Sequence, residues 1–204
     1  MKHLIAWLAA FLFAASATAN DMAPDVLVKT VTNEVLDIVR KDKDIQAGNT
    51  KKTLELVETK VLPHFNFQRM TQLAMGREGR QATPEQMKVL VDEFRTLLVR
   101  TYSKALTEYR DQEISFKPLK MNAADTDVKV RTEIKQSGGK PVPLDYYLEK
   151  NAGWKVYDME VGGVSLVTNY RSSFAREIQM NGIDGLIRTL QTKNKSGDVS
   201  AKTK

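Results

Sequence analysis

A change of hydrophobic period near residue 112 constrains this chain more than any other feature of its sequence. Up to Tyr109 apolar residues recur at helical spacing, and from Ile114 they recur at every second position. The clearest helical stretch begins at Thr83-Pro84-Glu85-Gln86. Thr83 is suited to cap, Pro84 to take the first helical position and Gln86 to close a capping box. Met87, Leu90, Val91, Phe94, Leu97, Leu98, Tyr102, Ala105, Leu106 and Tyr109 then keep one apolar face for about seven turns. In the alternating part, Val128, Val130, Thr132 and Ile134 interleave with Lys129, Arg131, Glu133 and Lys135, the pattern of a strand buried on one face. Residues 114–120, 142–150 and 154–161 supply three more strands. Ser137-Gly138-Gly139-Lys140 and Asn151-Ala152-Gly153 are turns short enough to join antiparallel neighbours. Trp154 and Val156 fall out of phase with Tyr157, Met159 and Val161, which predicts a bulge or cover on both faces.

Helices flank this sheet on both sides. Residues 24–46 read as helical through Leu27, Val28, Val31, Val35, Ile38 and Val39, and Gly48-Asn49 breaks the run. A second helix is predicted over 53–62 before Pro63, and a third over 67–75, ending at Gly76. Gly162-Gly163 closes the sheet, and Ser165 is placed to cap a helix carrying Leu166, Val167, Tyr170, Phe174 and Ile178. Beyond Asn181-Gly182 a last amphipathic helix uses Ile183, Leu186, Ile187 and Leu190. The expected architecture is α+β: a curved, four-stranded antiparallel sheet (113–161) with helices packed on one side, N-terminal helices over 24–110 and C-terminal helices over 165–192.

The first nineteen residues read as a cleaved export signal. A basic start, an apolar run from Leu4 to Ala15 and the small-x-small Ala17-Thr18-Ala19 follow in that order. The apolar run is shorter than the roughly 20 residues that span a bilayer. A single domain is expected over 20–192, and the Lys-rich residues 193–204 are expected to form a disordered basic tail. Of the formal charge of +6, Lys2 and the tail's four Lys and one Asp supply most, so the 20–192 body carries +2. Its basic residues are scattered among acids without an aromatic-studded basic stripe, which argues against nucleic acid.

Residues for bond-making chemistry are few. There is no cysteine, so thiol nucleophiles, disulfides and Cys-ligated metals are excluded. His64 has no second histidine in the mature chain with which to share a metal, and no metal site is expected. Ser165 sits in Gly162-Gly163-Val164-Ser165, a turn and a cap rather than a nucleophile elbow. Asp145, Asp158 and Glu160 lie near Tyr146 and Tyr157, a grouping that inside a sheet-lined cavity can move protons. The chain is richer in large, adaptable apolar side chains. Phe65, Phe67, Met70, Leu73, Phe94, Leu98, Tyr102, Tyr146, Met159, Val161, Val164, Tyr170 and Phe174, with Met75 and Tyr109, are placed to line one space, or else to fill it as solid core.

Several ordered segments resemble one family. They are Leu62-Pro63-His64-Phe65-Asn66-Phe67-Gln68-Arg69-Met70, Ala74-Met75-Gly76, Gln81-Ala82-Thr83-Pro84-Glu85-Gln86 and the run from Phe94 to Tyr102. Trp154-Lys155-Val156-Tyr157-Asp158-Met159, the run from Gly163 to Arg171, and Gly182-Ile183-Asp184-Gly185-Leu186 follow in the same order. Together they resemble the MlaC (toluene-tolerance, auxiliary organic solvent) family from about Asp25 to Thr192. The resemblance implies a nuclear-transport-factor-like cone with extra helices. It also implies a periplasmic, non-enzymatic phospholipid carrier with no cofactor other than its cargo. Such a carrier exchanges glycerophospholipid between an outer-membrane lipoprotein–porin complex and an inner-membrane ABC transporter with a lipid-binding domain, maintaining outer-membrane lipid asymmetry. Acyl chains are then expected between the 84–110 helix and the sheet, with Arg69, Arg100, Lys104 and Arg171 as candidates to flank the phosphate. A cone-shaped enzyme using Asp158 and Tyr157, or a lipid-free envelope adaptor, is the alternative.

Overall fold

A computed structural model describes residues 22–136 and 138–196. The leader with its cleavage pattern, Ser137 of the first turn, and residues 197–204 of the predicted tail lie outside the described residues. Helix α1 (Pro24–Lys41) has Pro at its first position, Asp25 in its first turn and Arg40 and Lys41 in its last, each favourable to the helix dipole. It buries Val28, Val35, Leu36 and Val39 along one stripe. The run predicted to reach residue 46 stops earlier. Asp42 is extended, and its carboxylate accepts from the Asp44 and Ile45 amides, so it caps a separate turn, α2 (Lys43–Gln46). Helix α3 (Thr50–Leu56), capped by Asn49, runs on through one wide turn at Val57–Val61 into a 3₁₀ turn at Leu62–His64.

Helix α4 (Phe67–Met75) is capped by Asn66 and ends at Gly76, which takes φ 59°. Helix α5 (Pro84–Tyr102) starts with the expected capping box: the Gln86 amide donates to Thr83 Oγ1 at 3.2 Å, and the Thr83 amide to Gln86 Oε1 at 3.0 Å. It ends at Tyr102, short of the predicted seven turns. Ser103 separates it from the short α6 (Lys104–Thr107). The reason lies at Tyr109, whose hydroxyl donates to the Gln112 carbonyl (2.6 Å) and accepts from Arg40 (2.5 Å), drawing that side chain to α1 instead of along the α5 face.

The sheet has five strands rather than four: β1 (Glu113–Phe116), β2 (Asp127–Lys135), β3 (Val142–Lys150), β4 (Trp154–Val161) and β5 (Val164–Ser165), in meander order and antiparallel throughout. Gly162 and Gly163, both with positive φ, reverse the chain so that Val161 pairs with Val164. A two-residue strand has no alternation to read, which is why the sequence suggested a helix there. Between Tyr147 and Leu148 the pairing register slips from Asp158 to Val156, so Tyr157 is the extra residue of a bulge. That slip accounts for the broken alternation of β4.

Register places Leu144, Tyr146 and Leu148 beside Val161, Met159 and Val156 on one face, and Asp145, Tyr147 and Glu149 beside Glu160, Asp158 and Lys155 on the other. The apolar face packs with Val28 of α1 into one cluster. A second cluster joins α4, α5 and the C-terminal α7 (Arg171–Ser196), which is kinked at Gly182 (φ 69°) as Asn181-Gly182 suggested. A third holds the far half of α1, α2, Leu56 and Tyr109. Helix α7 continues past the predicted boundary at residue 192. Asn194 is buried, and its Nδ2 donates to the backbone carbonyl (2.9 Å) and the carboxylate (2.7 Å) of Glu93 on α5, so residues 193–196 belong to α7 and not to the disordered tail expected from residue 193. No helix among the described residues is long and apolar enough to cross a membrane.

Candidate functional site

Nine of the thirteen apolar candidates meet in the helical cluster: Met70, Phe94, Leu98 and Phe174 buried within it, with Phe65, Phe67, Leu73, Tyr102 and Tyr170 packed against it. The α5 stripe at 90, 94, 97 and 98 supplies its floor. Phe94 stands edge-on to Tyr170 (5.1 Å between ring centroids) and Phe174 (5.2 Å), a favoured aromatic geometry. Tyr146 and Met159 belong to the sheet cluster instead. Phe65 packs against both clusters and therefore marks the seam between helical layer and sheet. The backbone puts it there: Phe65 bridges to Val156 of β4, the Asn66 amide donates to the Val156 carbonyl (2.8 Å), and the Phe65 ring stacks on Phe67 at 5.9 Å. Val161 and Val164 sit at the exposed end of the β4–β5 hairpin, 37% and 52% accessible, outside these clusters.

The seam is apolar but carries phenolic tips. Burial pushes the Tyr146 hydroxyl up to about 12, the nearby Thr32 side chain opposing the rise. Tyr102 is raised by burial and by the neighbouring Tyr170, which burial raises as well. All three stay neutral donors at physiological pH. Among the described residues Asp158 is the one buried carboxylate, and it belongs to the opposite face of the sheet. Its oxygens accept from the Met159 amide (2.8 Å), the Val167 amide (3.2 Å) and the Ser165 hydroxyl (2.5 Å). Burial raises its pKa while these bonds oppose the rise. Ser165 in turn accepts from the Thr168 amide at 2.9 Å, but it lies in β5 and caps no helix: the 3₁₀ turn has Val167 at its N-cap position and α7 starts only at Arg171. Tyr157 donates elsewhere, to Asp127 at 2.8 Å. Asp158 and Tyr157 thus hold structure separately and share no partner in these contacts. His64, partly buried, is held below its ordinary pKa by burial and by Lys155. No cluster of acidic and histidine side chains among the described residues is arranged to hold a metal ion.

The four candidate cations are put to different uses. Arg69 bonds Glu149, lies 2.9 Å from Asp127 and stacks 3.6 Å from the Tyr157 ring centroid, pinning α4 to the polar face of the sheet. Lys104 pairs with Glu108 at 3.5 Å on the surface. Arg171 donates through Nε and Nη2 to the Leu73 carbonyl. Arg100 lines a groove of about 650 Å³ between α3 and α5. Thr50, Leu54, Glu58 and Leu62 form one wall, and Asp92, Arg95, Thr96, Val99 and Arg100 the other. Arg95, missing from the candidates, was signalled by a second stripe on α5: positions 92, 95, 96, 99 and 100 share a face, as 90, 94, 97 and 98 share another.

A family profile described as MlaC protein matches residues 29–192. The chain belongs to the MlaC family. Toluene tolerance protein ttg2D of Pseudomonas putida is 30% identical over 189 residues, which cover 90% of this chain and 84% of that protein. The intermembrane phospholipid transport system binding protein MlaC of Haemophilus influenzae is 27% identical over 194 residues, with 90% and 87% covered. Among solved structures, a phospholipid-binding protein of Ralstonia solanacearum, in complex with a phospholipid, is 42% identical and superimposes with a TM-score of 0.78, covering 85% of this chain and 97% of that one. The matched MlaC region holds the seam, the groove and α7 as far as Thr192.

Proposed function

We propose that this protein carries glycerophospholipid through the periplasm, after cleavage of residues 1–19, as a single domain beginning at residue 20. The observation that carries this reading is its 42% identity and near-complete overlap with a protein solved in complex with a phospholipid. The acyl chains are taken to lie at the seam, parting α5 and its aromatic cluster from the apolar face of β3 and β4 as a cone-shaped cavity opens. The set from Phe65 to Phe174 named above lines that space, Val161 and Val164 stand at its rim, and Arg100, Lys104 and Arg171 flank the phosphate, Arg69 being held on the polar face of the sheet.

Energy explains the need for such a carrier. Two chains hold roughly 30 methylenes, each worth about 0.8 kcal/mol when kept from water, or about 24 kcal/mol in all. That exceeds the ceiling of about 20 kcal/mol for a non-covalent complex, so exchange has to pass between apolar sites rather than through water. A neutral seam of aromatic, Met and Leu side chains with phenol tips offers burial comparable to a bilayer and a donor for an ester carbonyl. Hand-over is then nearly isoenergetic and reversible, as exchange between an outer-membrane lipoprotein–porin complex and an inner-membrane ABC lipid transporter requires.

The test is native mass spectrometry of delipidated protein mixed with phospholipid vesicles. A mass increment of one phospholipid is expected, and Leu98→Trp, which fills the seam, is expected to lower its occupancy while Val164→Trp at the rim leaves it nearly unchanged. Protein that stays free of lipid contradicts the reading.

A further inference from the structure

At one end of the sheet the apolar face runs out into solvent. β3 begins and β4 ends there, since Leu144 pairs with Val161 and the Gly162 amide donates to the Pro143 carbonyl at 2.9 Å. β5 returns beside β4 with Val164 opposite Val161, so the two exposed valines share one face of the hairpin. Gly162 and Gly163 join them and bring no side chain to cover the tip. Cations lie on both flanks. Lys140 is on the turn that leads into β3 at this same end. On the other flank, Ser165 of β5 is tied to the Thr168 amide, and the 3₁₀ turn Thr168–Tyr170 runs straight into Arg171. The Arg171 side chain passes close to Gly76, where a second 3₁₀ turn, Gly76–Gln81, begins. Such a helix has three residues per turn, which puts Arg77 and Arg80 on the same side of it.

Arg77, Arg80 and Lys140 are exposed, and neither they nor Arg171 enter an ion pair among the described residues. The acids of this end are engaged: Glu78 accepts from Gln81, Glu113 stands across the strands from Lys135, and Asp145 and Glu160 share Lys129. We infer that this end of the molecule docks on an anionic bilayer surface, with the Val161–Val164 tip in the headgroup layer and Arg77, Arg80, Arg171 and Lys140 on the lipid phosphates. An apolar tip ringed by free cations matches an interface that is apolar inside and negative outside. A protein partner fits it less well, because a stable protein interface buries about 800 Å² on each side and two valines on a bare turn offer little of that. The inference goes beyond the carrier reading and stands on exposed residues alone, whatever the seam holds.

The experiment floats the full-length protein with vesicles of phosphatidylcholine, with and without phosphatidylglycerol, and measures bound phospholipid in the protein that is recovered. The wild type is expected to partition about a hundredfold more strongly onto the anionic vesicles, at about fivefold for each of the three free cations, and to lose that gain at high salt. Arg77→Gln with Arg80→Gln is expected to remove about 25-fold of it. Val161→Ser with Val164→Ser is expected to weaken partition onto both kinds of vesicle by about tenfold. Lys29→Gln with Lys120→Gln, on α1 and past the far end of β1, removes the same charge elsewhere and is expected to change little. Equal partition of the wild type onto the two kinds of vesicle overturns the docking surface, and so does an equal loss from the Lys29 and Lys120 pair. A dimer in vesicle-free solution that the valine variant abolishes gives the tip to a second copy and overturns it too. Protein that stays off the vesicles yet carries phospholipid overturns the docking and leaves the carrier reading; protein that floats but never holds phospholipid does the reverse. The wild-type comparison decides the matter without any variant having to fold.

Discussion

The polar face of the sheet and the α3–α5 groove carry the same kinds of residues and use them in opposite ways. On the sheet face charges come with partners: Lys129 lies 2.7 Å from Asp145 and 3.4 Å from Glu160, Tyr147 donates to Glu160, and Arg69 spans Glu149 and Asp127. In the groove, Arg95, Arg100, Asp92 and Glu58 line the walls and enter no ion pair among the described residues. Charge that is already paired holds the fold together, whereas charge left unpaired at a concave surface is available to a ligand. Removing a paired group should therefore cost stability, and removing an unpaired one should cost binding.

The largest stability loss is expected at Asp158, the buried acceptor on the sheet side. Asp158→Ala leaves the Val167 amide and the Ser165 hydroxyl short of an acceptor and is expected to lower unfolding free energy by about 2–3 kcal/mol in urea titrations. Asp158→Asn keeps the two amide bonds through its Oδ1 and removes the charge. In the folded protein burial raises the Asp158 pKa, so the folded state holds this proton more tightly than the unfolded chain. Stability from this group is therefore full below the ordinary carboxylate range, falls as pH rises to the folded value, and is level above it. Comparing wild type with Asp158→Asn between pH 3 and 8 should show that fall in the wild type alone; parallel profiles would contradict it.

Arg69→Ala comes next. It frees Glu149 and Asp127 and unseats the guanidinium from Tyr157, with an expected cost of about 1–2 kcal/mol by the same titration and no change in bound phospholipid per folded chain. A loss of bound phospholipid from folded Arg69→Ala would blur the distinction between the two regions. The smallest stability effect is expected in the groove: Arg95→Gln with Arg100→Gln should stay within about 0.5 kcal/mol of wild type in the same titration. A large loss of stability there would mean that these charges are structural after all.

How much of this was legible in the sequence depended on how local each cause was. The capping box at Thr83 and Gln86, the alternation of β2 and the bulge at Tyr157 are written in adjacent residues and could be read directly. The end of α5 could not, because helix-compatible residues continue beyond Ser103 and the contact that draws Tyr109 aside comes from Arg40, 69 residues before it. Arg69 looked like a lipid cation for the same reason, since its partners Asp127 and Glu149 lie 58 and 80 residues downstream and meet it only through sheet register. Val161 keeps the inward phase of β4 opposite Leu144, but the strand's end leaves it uncovered, which periodicity does not report. Helical period alone gathered the aromatic cluster on α5. The groove stripe on the same helix is equally periodic, but its members are mostly polar and charged, so hydrophobic period does not mark it.

The central claim is that the seam is built to hold phospholipid. Solvent extraction of freshly purified protein, followed by thin-layer chromatography and phosphate assay against protein concentration, tests it most directly. About one phospholipid per chain is the predicted result; a chain that emerges empty and stays empty after incubation with phospholipid vesicles would contradict it.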